Sequence, residues 1–317
     1  MKSPQTGKLI RNLTLRQLQI FDTVVRVGGV TRAAEALHLS QPTVSMQVRK
    51  MSETLGLELL EHVGRRVHPT AAGQEVFETA QDILESINSL GDLAAELKSE
   101  VKGELRVSVI TTATYFMPHL FGAFIERHPD VVPKLTITNR AEVLERLKSN
   151  IDDLLIMGQV PSELAVQAHP FIDNELVVVA PPDHPLAKER NISLDRLAQE
   201  RFLARESGSG TRLAVDRLFD RKKIQITPYM ELGSAEAIKQ GVMAGLGVSV
   251  LSRLSLSLEL ESRKIAILDV EEFPLVRRWY AVHLRDKKLS LVTRTFLDYI
   301  LKESGTILST QPRDRLR

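Results

Sequence analysis

The chain has 317 residues, 43% hydrophobic and 26% charged, a composition typical of a globular protein long enough for two or three domains. No apolar run approaches the roughly 18 residues that a membrane helix needs, and residues 1–12 lack the apolar core of a secretory signal, so we expect a cytoplasmic protein without a membrane partner. Because there is no cysteine, disulfides, thiolate metal sites and a cysteine nucleophile are excluded.

The net charge of +2 is unevenly distributed along the chain. Residues 1–70 hold ten Lys or Arg against five Asp or Glu, which gives +5 there and leaves −3 for the remainder. A basic end on an otherwise acidic protein indicates a polyanionic partner for that end. A merely solvated basic surface would produce the same bias, so charge alone leaves both interpretations open.

Residues 1–69 predict three short helices followed by a two-stranded wing. The apolar positions between Leu15 and Val25 have helical spacing and end at a glycine pair. We expect Thr31 to cap a second, alanine-rich helix. We expect Ser40 to cap a third helix, with Pro42 in its first turn, where the missing N–H donor is harmless.

The third helix is predicted to have two different faces. Its apolar residues between Val44 and Leu55 step by four, three and four and can pack inward. Amides, a hydroxyl and a cation on the opposite face can pair with base edges or phosphates, as a recognition helix requires, although an ordinary solvated helix face is the alternative. The outward residues are Gln41, Thr43, Met46, Gln47 and Lys50.

Residues 59–70 are expected to form the wing, with Gly64, Arg65 and Arg66 at its tip. Paired arginines on a protruding loop suit a narrow minor groove or the adjacent phosphates. A solubilising turn would have the same composition, so this evidence is weaker than that of the helix.

Residues 70–102 predict one long helix, capped by Thr70 and stopped by Gly103. Its apolar residues alternate steps of four and three, the pattern of a coiled-coil seam, and a second copy of the chain is the simplest cover. Packing against the C-terminal part of the same chain is the alternative. The seam residues are Val76, Ala80, Ile83, Ile87, Leu90, Ala94, Leu97 and Val101.

From residue 104 onward strands alternate with helices, which indicates mostly parallel sheets with binding sites at the strand ends. This stretch exceeds one ordinary domain, so we expect two lobes. Lobe I comprises residues 103–171 and 272–304, and lobe II residues 172–271. The polar, aperiodic residues 305–317 predict a disordered tail.

Two loops in this region are candidate anion sites. One spans Thr111 to Thr114, and the other spans Ser207 to Thr211 between Arg205 and Arg212. Hydroxyls and unpaired N–H groups at helix N-termini favour a carboxylate or phosphate, although such loops can simply turn and cap a helix. The sequence predicts no catalytic or metal site, because it has no Walker motif, no nucleophile elbow and no histidine pair at metal-ligand spacing.

Four motifs resemble, in order, the N-terminal signature of the LysR-type transcriptional regulators: LRQLQIF at 15–21, TRAAEAL at 31–37, SQPTVS at 40–45 and TAAG at 70–73. Residues 177–187 and 241–248 are similar to the effector domain of that family. The resemblance implies an α/β protein with an all-α N-terminal part: a winged helix-turn-helix, a long dimerisation linker helix and two Rossmann-like lobes of periplasmic-binding-protein type.

The resemblance also implies where DNA and ligand bind. Leu60, His62 and Ala71 depart from the family pattern around the wing, so its contacts stay open. The expected DNA contacts are Thr31, Arg32, Gln41, Pro42, Thr43, Ser45, Gln47, Lys50, Arg65 and Arg66. The expected effector contacts are Thr111, Thr112, Thr114, Gly158, Gln159, Arg205, Ser207, Gly208, Ser209, Gly210, Thr211 and Arg212.

The loops at 111–113, 156–159 and 205–212 resemble the subgroup that controls carbon-fixation and inorganic-carbon-uptake operons, whose members respond to organic acids or phosphorylated metabolites. The expected function is therefore an activator or repressor with no cofactor beyond a small anionic effector. Its expected partners are interrupted palindromic promoter DNA, a second copy in a dimer or tetramer, and RNA polymerase. Two other functions are disfavoured. A periplasmic solute-binding protein would need a secretion signal, and a DNA-tethered enzyme would need a set of catalytic residues, and the sequence indicates neither.

Overall fold

The structure is a computed structural model that describes residues 9, 12–63, 66–97 and 100–309. Its contacts divide the chain into two units, Met1–Leu97 and Lys98–Arg317, each with its own core. None of the helices in these ranges combines the length and apolar character needed to cross a bilayer.

The first unit is a winged helix-turn-helix followed by a long helix. Its three short helices pack around fully buried Phe21, Val24, Val44 and Met51. The two strands pair antiparallel to form the predicted wing. The elements are α1 (Leu15–Val27), α2 (Val30–Leu37), α3 (Gln41–Leu55), β1 (Leu60–Val63), β2 (Arg66–Pro69) and α4 (Ala71–Leu97).

Two of the three predicted caps are present. The Oγ of Ser40 accepts the N–H of Thr43 at 3.3 Å and caps α3. The Oγ1 of Thr70 accepts the N–H of Gly73 at 2.9 Å and caps α4. The expected cap by Thr31 is wrong: α2 begins at Val30, two residues earlier than a cap at Thr31 implies, so Thr31 lies inside the first turn and Gly29 takes the cap position without a side-chain bond.

The apolar seam of α4 is only partly exposed. Val76 and Ala80 pack against the core of the helix-turn-helix. By contrast, Ile83, Ile87 and Leu90 are 37%, 43% and 62% exposed. The side chains of residues 94 and 97 lie outside the described residues.

The predicted extent of this helix to residue 102 is wrong. The described helix ends at Leu97, and Val101 is non-helical and packs against the core of the second unit. Gly103 is the first residue of a strand and does not stop the helix. Its φ of +108° is a conformation that glycine adopts easily, and it lies where the chain enters the sheet.

The second unit contains one continuous mixed sheet with strand order β4-β3-β5-β11-β6-β9-β7-β8, and β10 pairs with β6. Helices cover the sheet and enclose separate apolar cores, which gives the two-lobe α/β fold that the sequence predicts. Its strands are β3 (Gly103–Ile110), β4 (Val131–Thr138), β5 (Leu154–Met157), β6 (Val166–Ala180), β7 (Phe202–Arg205), β8 (Pro228–Leu232), β9 (Val248–Ser252), β10 (Ala266–Ile267) and β11 (Leu275–Leu284). Its helices are α5 (Met117–Arg127), α6 (Arg140–Lys148), α7 (Leu194–Leu197), α8 (Gly210–Lys222), α9 (Ala235–Met243), α10 (Ser257–Glu261) and α11 (Leu291–Ser309).

Strands β6 and β11 cross from one lobe to the other. Ile172 of β6 and Trp279 of β11 pack in the core of lobe I, whereas Leu176 and Leu275 pack in the core of lobe II. Because Phe273 also packs in lobe II, the crossing lies a few residues beyond the expected boundaries at 172 and 272.

The expected disordered tail begins too early. Helix α11 continues to Ser309, because Leu308 is buried in the core of lobe I and the Oγ of Ser304 donates to the carbonyl of Phe171 at 2.9 Å. Residues 310–317 lie outside the described residues.

The exposed part of the seam predicts self-association through α4. Replacing Ile83 and Ile87 with Asp would bury unpaired charge in each copy, so the double variant should sediment at the 35.5 kDa of one chain while the wild type sediments at a multiple of it. A control with Asp at Gln74, which is exposed on the side of the same helix opposite the seam, should keep the wild-type mass. A wild-type mass for the Ile83/Ile87 variant would contradict this interface.

Candidate functional site

The polar face of α3 is exposed in the first unit. Val44, Val48 and Met51 are buried against the helices below. Gln41, Pro42, Ser45 and Lys50 are exposed, and Thr43 and Gln47 are half-buried. This arrangement leaves amide, hydroxyl and ammonium groups free to contact a partner along one side of the helix.

Local hydrogen bonds distinguish the predicted DNA contacts from one another. The hydroxyls of Ser40 and Thr43 lie 2.7 Å apart at the start of α3. The side chain of Arg32 instead folds back, and its Nη2 donates to the carbonyl of Gly28 at 3.0 Å, while Thr31 is exposed. No carboxylate in the described part of the chain contacts Lys50.

The wing is described only up to its tip. Strand β1 pairs with β2 from Leu60 opposite Pro69 to Val63 opposite Arg66. The predicted contact Arg65 lies outside the described residues, as does the side chain of Arg66.

In the second unit, the ends of strands from both lobes meet at a cleft. Thr111 follows β3 of lobe I, and Arg205 ends β7 of lobe II. The Nη2 of Arg205 donates to the Oγ1 of Thr111 at 3.5 Å. The structure thus brings together two predicted effector residues that are far apart in the sequence.

The hydroxyls of the two loops differ in their availability. Thr112 and Ser209 are buried, and Ser209 occupies the cap position of α8 without accepting a hydrogen bond from that helix. The Oγ1 of Thr114 donates to the carbonyl of Thr111 at 2.7 Å, so it serves its own turn. Ser207 is exposed and Thr211 is half-buried. The N-terminus of α8 therefore has no side-chain cap, and its N–H groups can bind an anion.

Both predicted cations already have carboxylate partners. Arg205 donates to both oxygens of Glu206, at 2.6 and 2.7 Å. Arg212 donates to both oxygens of Asp216, at 2.8 and 2.9 Å. Their charges are therefore largely neutralised, and these two arginines offer little attraction to an anion.

Arg277 of β11, which the sequence pattern did not indicate, joins the two lobes. Its guanidinium donates to the carbonyl of Gly210 at 2.6 Å and to that of Gly158 at 2.8 Å. Burial lowers the pKa of Arg277, and the nearby charges of Arg217 and Arg140 lower it further. The Nη1 of Arg140 donates to the carbonyl of Gln159 at 2.7 Å.

A second contact between the lobes centres on buried Lys239 of α9. Its ammonium lies 2.8 Å from carboxylate oxygens of Glu236 and of Glu259, and 4.6 Å from the ring centroid of Tyr115 in lobe I. Burial by itself lowers the pKa of Lys239, but the hydrogen bonds to the two glutamates raise it above its ordinary value. Because Tyr115 ends the turn that begins at Thr111, this cluster holds the first candidate anion loop in position.

Two histidines that the sequence leaves far apart are neighbours in lobe I: the Nε2 atoms of His169 and His283 lie 3.3 Å apart. Within the described ranges, no three or more His, Cys, Asp or Glu side chains are grouped to hold a metal.

A winged helix-turn-helix joined to a two-lobed α/β domain with a polar cleft defines a ligand-responsive DNA-binding regulator. Comparisons with known proteins agree. The model described as "Bacterial regulatory helix-turn-helix protein, lysR family" matches residues 15–74, and that described as "LysR substrate binding domain" matches residues 98–305. The chain belongs to the LysR family, and it is a transcription regulator rather than an enzyme.

Two similar proteins cover almost the whole chain, and one solved structure covers part of it. The HTH-type transcriptional activator CmpR of Synechocystis is 43% identical over 95% of this chain and 99% of CmpR. The RuBisCO operon transcriptional regulator of Allochromatium vinosum is 46% identical over 93% of this chain and 97% of that protein. The regulatory domain of Synechocystis PCC6803 CcmR, solved in complex with 2-PG, is 48% identical over 63% of this chain and 96% of that chain, with a TM-score of 0.61.

The Lys239 cluster predicts that a buried ion pair contributes much more to the free energy of unfolding than an exposed one does. Lys239→Met should destabilise the second unit by about 3 kcal/mol, because it leaves the buried carboxylate of Glu259 unpaired. The control Lys148→Met removes an exposed partner of Glu145 and should cost less than about 1 kcal/mol. Urea unfolding followed by fluorescence of the single tryptophan, Trp279, measures both. Equal shifts of the two midpoints would contradict the assignment.

Proposed function

We propose that this protein regulates carbon-assimilation genes by binding promoter DNA through α3 and a small anionic metabolite between the lobes of its second unit. The observation that carries the proposal is the contact of Thr111 with Arg205, which joins ligand loops of both lobes next to the uncapped N-terminus of α8. The relatives named for a RuBisCO operon and the 2-PG complex of CcmR support the choice of genes and of ligand class.

On the DNA side, α3 enters the major groove. Gln41 and Thr43 contact base edges, with Pro42, Ser45 and Gln47 beside them, whereas Lys50 and the wing arginines mainly bind phosphates. Arg32 takes part only if its bond to Gly28 opens on binding, and Thr31 is exposed beside it. Two copies joined through α4 place two recognition helices on an interrupted palindrome.

On the ligand side, the anion lies against Thr111, Thr112 and the N-terminus of α8, with Ser207, Ser209 and Thr211 as further donors. Gly158, Gln159, Gly208 and Gly210 supply backbone around it, and Thr114 holds the first loop in shape. Because Arg205 and Arg212 are already paired, they orient the loops more than they attract the ligand.

The ligand regulates by favouring one arrangement of the lobes. A ligand that contacts both lobes binds more tightly to the lobe arrangement in which it can make both sets of contacts. Only such a difference in affinity between two arrangements can shift the conformational equilibrium of the oligomer on DNA. The effect of the ligand is a change in the spacing or bending of the DNA site that the oligomer occupies. This regulation takes place in the cytoplasm, where the promoter and RNA polymerase lie.

Base recognition by α3 predicts two different responses to substitution. Gln41→Ala should cost about 1 to 3 kcal/mol on the cognate site and relax its sequence preference, because a bidentate base contact is lost. Lys50→Ala should weaken binding to all sequences alike and flatten its salt dependence. Arg127→Ala, which removes an exposed cation from the second unit, is the control. Titrations on cognate and scrambled duplexes measure this, and an unchanged preference for Gln41→Ala would refute the assignment.

If the ligand binds in the cleft, removing the hydroxyl of Thr112 should lower its affinity. Calorimetry with 2-phosphoglycolate should show roughly tenfold or greater weakening for Thr112→Val, because a hydrogen bond to a charged group is lost while the shape is kept. Thr295→Val on α11, which removes a hydroxyl bonded within its own helix, should leave the affinity unchanged. Tighter binding of a neutral compound than of any anion, or indifference to Thr112→Val, would contradict the proposal.

A further inference from the structure

A second cavity lies beside the crossing strands and is distinct in its lining from the Thr111–Arg205 cleft. Its volume is about 220 Å³, and Leu213 and Ala214 of α8 and Leu275 of β11 form its apolar wall. Arg217, Arg221 and Arg277 also line it, and the lining includes no carboxylate. It contains none of the threonines of the cleft and meets the cleft only at Gln159 and Gly210.

The three arginines are unequally compensated. Arg221 is paired with Glu272 at 3.2 Å. In the part of the chain that the structure describes, neither Arg277 nor Arg217 forms an ion pair with a carboxylate. The two hydrogen bonds of Arg277 are to backbone carbonyls, so three of its five N–H donors stay available.

Bringing guanidinium groups together in a partly buried site is unfavourable unless an anion binds between them. Burial lowers the pKa of Arg277, and the charge of Arg217 lowers it further, because the two guanidinium groups line the same cavity. Gln159 also lines the cavity, and its Oε1 is buried without a hydrogen-bond partner in the described part of the chain.

The size of the cavity limits the ligand. About 220 Å³ is several times the roughly 30 Å³ that one water occupies, but it is smaller than the roughly 300 Å³ at which pockets for larger ligands begin. A phosphate group or a short dicarboxylic acid fits this volume, and a larger molecule would have to extend beyond it into solvent.

We propose that this cavity is a second anion site, separate from the effector cleft, in which Arg217 and Arg277 bind the phosphate or carboxylate groups of a small metabolite. Arg277 holds the carbonyls of Gly158 in lobe I and Gly210 in lobe II. An anion that fixes its guanidinium therefore favours the lobe arrangement in which both hydrogen bonds are made. A second ligand can in this way influence the same movement of the lobes as the ligand in the cleft.

Calorimetry of the full chain with inorganic phosphate and with malonate, at constant ionic strength, tests the site. Arg217→Gln should weaken binding about tenfold or more, because one charge-assisted hydrogen bond is lost from an exposed side chain that the fold does not need. Arg277→Gln should weaken it further. Arg278→Gln removes the neighbouring exposed cation of β11, which is paired with Asp173 outside the cavity, and should bind as the wild type does.

The site is also separable from the effector cleft. Thr112→Val should leave the affinity for the tighter of the two probes unchanged. That probe identifies the group that the site prefers, phosphate or dicarboxylate. Wild-type affinity in both Arg217→Gln and Arg277→Gln, loss of binding in Thr112→Val, or no saturable heat from either anion would overturn the proposal.

Discussion

The antiparallel pairing of β6 with β11 is the constraint on which the second unit depends. Its register runs from Leu176 opposite Leu275 in one lobe to Val166 opposite Leu284 in the other, so a single ribbon belongs to both cores. A buried hydrogen bond of 2.6 Å from Ser252 to Asn174 ties the adjacent strand β9 to the crossing. Any movement of one lobe relative to the other must bend or twist this strand pair. A ligand bound next to the pair can therefore influence the relative position of the lobes.

The ribbon also determines which chemistry meets in the cleft. Strands β3 and β5 run parallel to each other in lobe I, and β7 lies on the other side of the ribbon. Their carboxyl ends therefore present loops to one another, with polar backbone groups and few free charges. The compensated pairs of Arg205 and Arg212 shape this surface, while the uncompensated Arg277 lies at the crossing itself.

Much of this could be predicted from local patterns. The two faces of α3, the cap by Ser40 and the loops at the ends of β3 and β7 follow from periodicity and capping over a few residues. What could not be predicted depends on distant pairing. Arg277 becomes a site residue because β11 inserts between β5 and β6, which lie about a hundred residues earlier in the chain, and His169 meets His283 for the same reason. The neutralisation of Arg205 by the adjacent Glu206 was within reach of sequence analysis, since the two residues are neighbours in the chain.

Footprinting of the full-length protein on the DNA upstream of its own gene, with and without saturating 2-phosphoglycolate, tests the central claim most directly. We expect protection of an interrupted palindrome, and we expect the length of the protected region or the pattern of enhanced cleavage to change when the ligand is added. Identical footprints at a ligand concentration that calorimetry shows to be saturating, or no protection of any upstream sequence, would contradict it.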